Sequence, residues 1–138
     1  MRAYASFRTT HPEYKLVLAG MRGFHAEVIE NLVLNLDLIE HVRITGWIPR
    51  KEVYDLYKHA HAFVFPSLFE GFGIPLIEAM AVGIPSVCAD VEPMSSNAGE
   101  AALKFQPDDE EDLATCLTVL VESESVRSRL SEDRKSVV

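Results

Sequence analysis

Positive charge is scarce in this chain of 138 residues: 13 lysines and arginines stand against 21 aspartates and glutamates, a formal net charge of -8. With no basic stripe to neutralise phosphates, the sequence argues against a nucleic-acid surface and against tight adhesion to an anionic membrane. Cysteine is scarce too. Cys88 and Cys116 lack metal-ligand spacing, and Cys88 falls in an apolar strand pattern, where a thiol is most simply core. No signal peptide or membrane-spanning run stands out, so a reducing, cytoplasmic setting is the expectation. The five histidines, His11, His25, His41, His59 and His61, show no ligand spacing around a shared centre. Neither a metal nor a cofactor is expected. Repeats, linkers and low-complexity segments are lacking as well.

What is present is a globular composition, 48% hydrophobic and 25% charged, in a length that suits one domain with a real core. Met1 to Thr10 reads as the tail of a helix, broken by His11-Pro12-Glu13. Lys15 to Ala19 reads as a strand, with Gly20 to Gly23 as the loop at its carboxyl end. From His25 to Leu38 the apolar residues Val28, Ile29, Leu32, Val33 and Leu36 recur at helical spacing and predict an amphipathic helix. A strand at Val42 to Thr45, a loop at Gly46-Trp47-Ile48-Pro49 and a helix over Arg50 to His59 follow, with Val53, Leu56 and Tyr57 inward. Beyond Ala89, Asp90 to Gly99 reads as a polar connection and Leu103 to Phe105 as a short strand. Pro107-Asp108 opens a helix carrying Leu113, Leu117 and Leu120 on one face, and Val126 starts a last helix that frays. The acids from Asp108 to Asp112 suit a solvated helix start, where the dipole favours negative charge, better than a metal site. Strands alternating with helices predict a parallel sheet with helices on both faces.

The centre of the chain is the run from Pro66 to Val87. An apolar strand, Ala62 to Phe65, precedes it, and another, Pro85 to Ala89, closes it. Pro75 suits the first helical position and Gly83 a left-handed stop, so the order is strand, glycine-rich loop, short helix, strand. In such a unit the loop lies at the carboxyl edge of the sheet, where ligands bind. Gly71 and Gly73 let a ligand approach the backbone, and the helix start directs N–H groups and a positive dipole end at the same place. Glu70 and Glu78 flank it. An ionised carboxylate only accepts hydrogen bonds, so the pair suits ligand hydroxyls and the amides suit phosphate. A nucleotide sugar has both.

These residues also carry a resemblance. Phe65-Pro66-Ser67, Glu70-Gly71-Phe72-Gly73, Pro75, Glu78-Ala79-Met80-Ala81 and Gly83-Ile84-Pro85 resemble the Glu, seven residues, Glu signature of retaining GT-B glycosyltransferases of the group 1 (family four) class. The resemblance extends over nearly the whole chain and implies a Rossmann-like C-terminal domain, incomplete here, with residues 1–138 as a donor-binding domain truncated at both ends. It implies that Glu70 binds donor-sugar hydroxyls at the catalytic centre and Glu78 holds the ribose. Gly71, Phe72, Gly73, Ile74, Pro75 and Leu76 would take the diphosphate, with Trp47 and Ile48 over the base. It further implies a nucleoside diphosphate sugar as ligand, catalysis without a metal, and an N-terminal acceptor domain as the missing partner, to which any peripheral membrane contact would belong. The family's basic Arg and Lys on the diphosphate have no counterpart in this sequence, and Ser95-Ser96 stand where the family has Pro-Glu. Two rival readings are a non-catalytic nucleotide-sugar module and a receiver-like domain with Asp90 as phosphoacceptor. The second lacks the acidic cluster that such a fold needs after its first strand.

Overall fold

The computed structural model describes residues 1–20, 23 and 26–133. The elements in chain order are α1 (Arg2–Arg8), β1 (Leu16–Ala19), α2 (Ala26–Asn35), β2 (Val42–Gly46), α3 (Arg50–His59) and β3 (Phe63–Phe65). They continue as α4 (Ile74–Val82), β4 (Ser86–Ala89), α5 (Met94–Ala98), β5 (Ala102–Phe105), α6 (Glu110–Glu122) and α7 (Glu124–Asp133). All five expected strands are present, and all pair in parallel. Contacts divide the chain into two compact units, Met1–Val53 and Tyr54–Val138.

In the first unit, β1 and β2 run in register from Leu16 opposite Val42 to Leu18 opposite Ile44. The register then shifts, so that Ala19 faces Gly46. Ala3, Tyr4 and Phe7 of α1 are buried, and Tyr4 Oη donates to the carbonyls of Tyr14 (2.8 Å) and His41 (3.1 Å). That buried phenol is satisfied, as burial demands. His11 does more than break the helix: its ring is buried and stacks on Phe7 at 4.7 Å. The expected apolar stripe of α2 is covered only in part. Val33 is buried, but Val28 and Ile29 are exposed. Periodicity reports which face of a helix is apolar, not whether another layer lies over it. The expected loop after Gly20 falls largely outside the described residues, as do His25 and the chain end expected to fray.

The second unit holds the ladder β3-β4-β5, with β4 in the middle. Phe63, Val64 and Phe65 face Ser86, Val87 and Cys88, and Ser86 to Ala89 face Ala102 to Phe105 in turn. Because successive side chains point to opposite faces, β4 feeds two cores. Cys88 joins Leu76, Met80, Met94 and Ala98 on one face. Val87 and Ala89 join Phe105, Cys116, Leu120 and Leu130 on the other. Helices α4 and α5 thus cover one face and α6 and α7 the other. Burying a side chain such as Leu76 or Met80 stabilises by about 1.5–3 kcal/mol. All four residues of β4 are buried, and the one hydroxyl among them, on Ser86, donates to the Ile84 carbonyl at 3.0 Å.

Two expectations need correcting here. Asp90 to Gly99 is not a plain polar connection, because it contains α5 with Met94 and Ala98 fully buried. Serine and asparagine between those two apolar positions disguise a single helical turn. The acidic run starts α6 at Glu110 rather than at Pro107-Asp108. Asp109 caps it, its side chain accepting from the N–H groups of Glu111 (3.1 Å) and Asp112 (2.9 Å).

Candidate functional site

The segment from Pro66 to Gly73 joins β3 to α4 in the second unit. Gly73 has φ 78°, a left-handed conformation that glycine adopts without a Cβ penalty. Its carbonyl accepts from the N–H groups of Leu76 (3.0 Å) and Ile77 (3.3 Å), which starts the helix. The helix therefore opens at Ile74, and Pro75 sits in the second position rather than the first; there too it has no intrahelical N–H to lose. At the far end Gly83, at φ 93°, donates to the Met80 carbonyl (2.9 Å) while Ile84 donates to that of Ala79 (3.3 Å). This pairing is a Schellman stop.

Both carboxylates are half-buried, and each is held by a hydroxyl. Ser67 Oγ donates to Glu70 Oε1 at 2.9 Å. Tyr54, on α3, donates through its hydroxyl to Glu78 Oε1 at 3.2 Å. A neutral donor orients a carboxylate without cancelling its charge, and a carboxylate has more acceptor sites than one hydroxyl can fill. Between them, the N–H groups of Gly71, Phe72, Gly73 and Ile74 donate to nothing among the described residues. Leu76 is different: it is fully buried, and its N–H is engaged by Gly73. Pro75 offers no N–H, and its carbonyl accepts from the Tyr57 hydroxyl at 3.4 Å. The amides available to an anion thus lie in the loop and the first helical residue. No lysine or arginine occurs between Pro66 and Glu78, so the positive potential that this segment itself supplies comes from its backbone.

Around this backbone Leu68, Phe69, Phe72 and Ile74 are all exposed, Phe69 by 94%. Two residues that sequence reasoning passed over also belong to the arrangement. Tyr54 fixes Glu78, and Asn97 donates through Nδ2 to the Phe72 carbonyl at 2.8 Å. Asn97 follows Phe72 by 25 positions, and no spacing rule points from one to the other. Tyr54 had a weak signal, since a tyrosine three positions before Tyr57 shares that residue's helix face.

Trp47 and Ile48 belong to the first unit, just after Gly46 at φ 67°. Ile48 is half-buried. The Trp47 indole is 70% exposed rather than packed. Cys88 and Cys116 are buried, and burial pushes both thiols up to about 11. Both are therefore protonated at neutral pH and carry no nucleophilic chemistry. Among the described residues no group of histidine, cysteine and acidic side chains could hold a metal ion, and no helix is long and apolar enough to cross a membrane.

The family model described as "Glycosyl transferases group 1" matches residues 1–137. The O-antigen chain mannosyltransferase B of Escherichia coli is 34% identical over 118 residues, covering 86% of this chain and 31% of that protein. HepE of Anabaena, solved in complex with UDP-glucose, superposes with a TM-score of 0.87 at 18% identity over 99% of this chain and 38% of its own. The C-terminal domain of a group 1 family protein, LpcC of Francisella tularensis, gives a TM-score of 0.84 at 20% identity over 99% of this chain and 73% of its own. At those identities the two structures speak for the fold: a Rossmann-like GT-B C-terminal domain. The chain spans about a third of the length of the curated relatives it matches.

Proposed function

The chain belongs to the group 1 glycosyl transferases, and from that membership we propose that it is the donor-binding part of a retaining enzyme that moves a sugar from a nucleoside diphosphate sugar to an acceptor hydroxyl. Glu78 holds the ribose, and Glu70 accepts from hydroxyls of the donor sugar beside the reacting carbon. The amides from Gly71 to Ile74 receive the diphosphate. As the bond between the anomeric carbon and the phosphate oxygen breaks, charge grows on that oxygen. Preorganised N–H groups aimed at it stabilise the leaving diphosphate without a metal. This chain matches 31% of the O-antigen chain mannosyltransferase B of Escherichia coli, and the proposal assigns the acceptor and the groups that orient it to the remainder of such an enzyme.

One observation carries this reading. Two carboxylates, each hydrogen-bonded by a neutral hydroxyl, flank a loop in which the amides of Gly71, Phe72, Gly73 and Ile74 have no partner among the described residues. That the HepE structure holds UDP-glucose on the same fold favours a nucleotide sugar over other phosphorylated ligands.

Calorimetry with UDP, UDP-glucose, GDP and GDP-mannose tests it. A hydrogen bond to a charged group is worth about 1.5–3 kcal/mol, or roughly ten- to 150-fold in affinity. Glu78→Ala should lose that much for the nucleoside diphosphate with or without its sugar, and Glu70→Ala only for the sugar-bearing form. Equal losses for both variants on both ligands would break the assignment.

A further inference from the structure

We propose that Asn97 is a positioning residue for the donor loop, acting through the peptide bond between Phe72 and Gly73. The proposal rests on the donor-site reading above. Asn97 Nδ2 donates to the Phe72 carbonyl at 2.8 Å. A trans peptide is planar, with its C=O and the following N–H pointing in opposite directions. Holding the Phe72 oxygen therefore also sets the direction of the Gly73 N–H, one of the amides without a partner among the described residues. Donation to the carbonyl also polarises the peptide, which makes that N–H a better donor to an anion.

The tether is built on a firm base. Met94 and Ala98 bury completely in the core shared with Leu76 and Cys88, so α5 is anchored on both sides of Asn97. Ser95 Oγ donates to Asp90 Oδ1 at 2.6 Å and Ser96 Oγ to Glu92 Oε1 at 2.7 Å, which ties the turn to the segment that precedes it. A second contact comes from the same helix. A Cβ placed on Gly73 would stand 3.0 Å from Met94 Cγ, so Met94 presses against the loop where glycine leaves room. The short helix thus grips the loop twice, once by a hydrogen bond and once by packing. It gives a physical role to a stretch whose Ser95-Ser96 departs from the family pattern.

Two variants separate this from a merely structural role: Asn97→Ala, and Asn97→Leu, which keeps the branched heavy-atom shape and removes the donor without adding charge. Backbone order parameters by NMR on the 138-residue chain read the tether directly. Both variants should lower them at Phe72, Gly73 and Ile74 and leave β4 and α6 unchanged. Calorimetry then compares UDP with uridine, and GDP with guanosine. Both variants should weaken the diphosphates about three- to tenfold, the range of one neutral hydrogen bond, and leave the nucleosides unchanged. Unchanged order parameters, or an unchanged preference for diphosphate over nucleoside, would overturn the positioning role while the donor reading stood. A wild-type chain that ignores UDP, GDP and inorganic pyrophosphate alike would sink the donor reading, and this proposal with it.

Discussion

Cys88 and Cys116 show how a residue's surroundings decide its chemistry. Burial raises both thiols from 9.0 to about 11, and the nearby Lys104 only partly offsets this for Cys88. Between pH 9 and 11 the folded chain keeps protons that the unfolded chain releases. Stability from this source is therefore whole below pH 9 and is lost as pH rises through about 11. The midpoint of urea unfolding should fall across that window, and the Cys88→Ala/Cys116→Ala double variant should flatten the decline. An equally steep decline in the double variant would assign it to other groups. The core role of Cys88 was legible from its place in an apolar strand. The residues that hold Glu70, Glu78 and the loop backbone were not equally so: Ser67 lies three positions from Glu70, whereas Tyr54 reaches Glu78 and Asn97 the Phe72 carbonyl across folds of the chain. Long-range pairs leave no periodic trace in one sequence.

At the scale of elements, strands and long helices were legible because each carries its own period and its own stops. Pro75 and Gly83 bracket α4 within a residue of the expected start. Helix α5 hid because five residues hold too little of a helical period to be seen, and only tertiary burial of Met94 and Ala98 makes it worth forming. Helix α6 depends visibly on its cap. Asp109 satisfies two amides that would otherwise be orphaned, and its charge opposes the helix dipole favourably. Asp109→Ala should cost about 1 kcal/mol, a few degrees in melting temperature, and Asp109→Asn should recover most of it. If the asparagine variant melts no higher than the alanine one, the capping bonds are not what holds this end.

For the whole molecule, the prediction concerns what 138 residues can do alone. Glycosyl transfer needs the acceptor hydroxyl held in line and water kept out, and both depend on groups beyond a donor site. The purified chain, given labelled UDP-glucose or GDP-mannose and pooled acceptors, should bind but not transfer. Acceptor-dependent turnover on the order of 1 per second would mean that one carboxylate pair and one loop suffice. Leu68, Phe69 and Phe72 in the loop and Ile74 at the start of α4 are all exposed.

The lone tryptophan has a practical side. Trp47 is the chain's one indole, and it already stands mostly in solvent in the folded state. Its emission will therefore change little on unfolding, and acrylamide will quench the native chain nearly as well as the denatured one. A melt followed by that light would be blind to the collapse of β3, β4 and β5, whose fluorophores are phenylalanines at most. What makes the ring a poor thermometer makes it a clean optical sensor for whatever lies down upon it: a base resting there would shield it from quencher, and undiminished quenching with UDP or GDP bound would sink the expectation, implied by the resemblance, that Trp47 lies over the base.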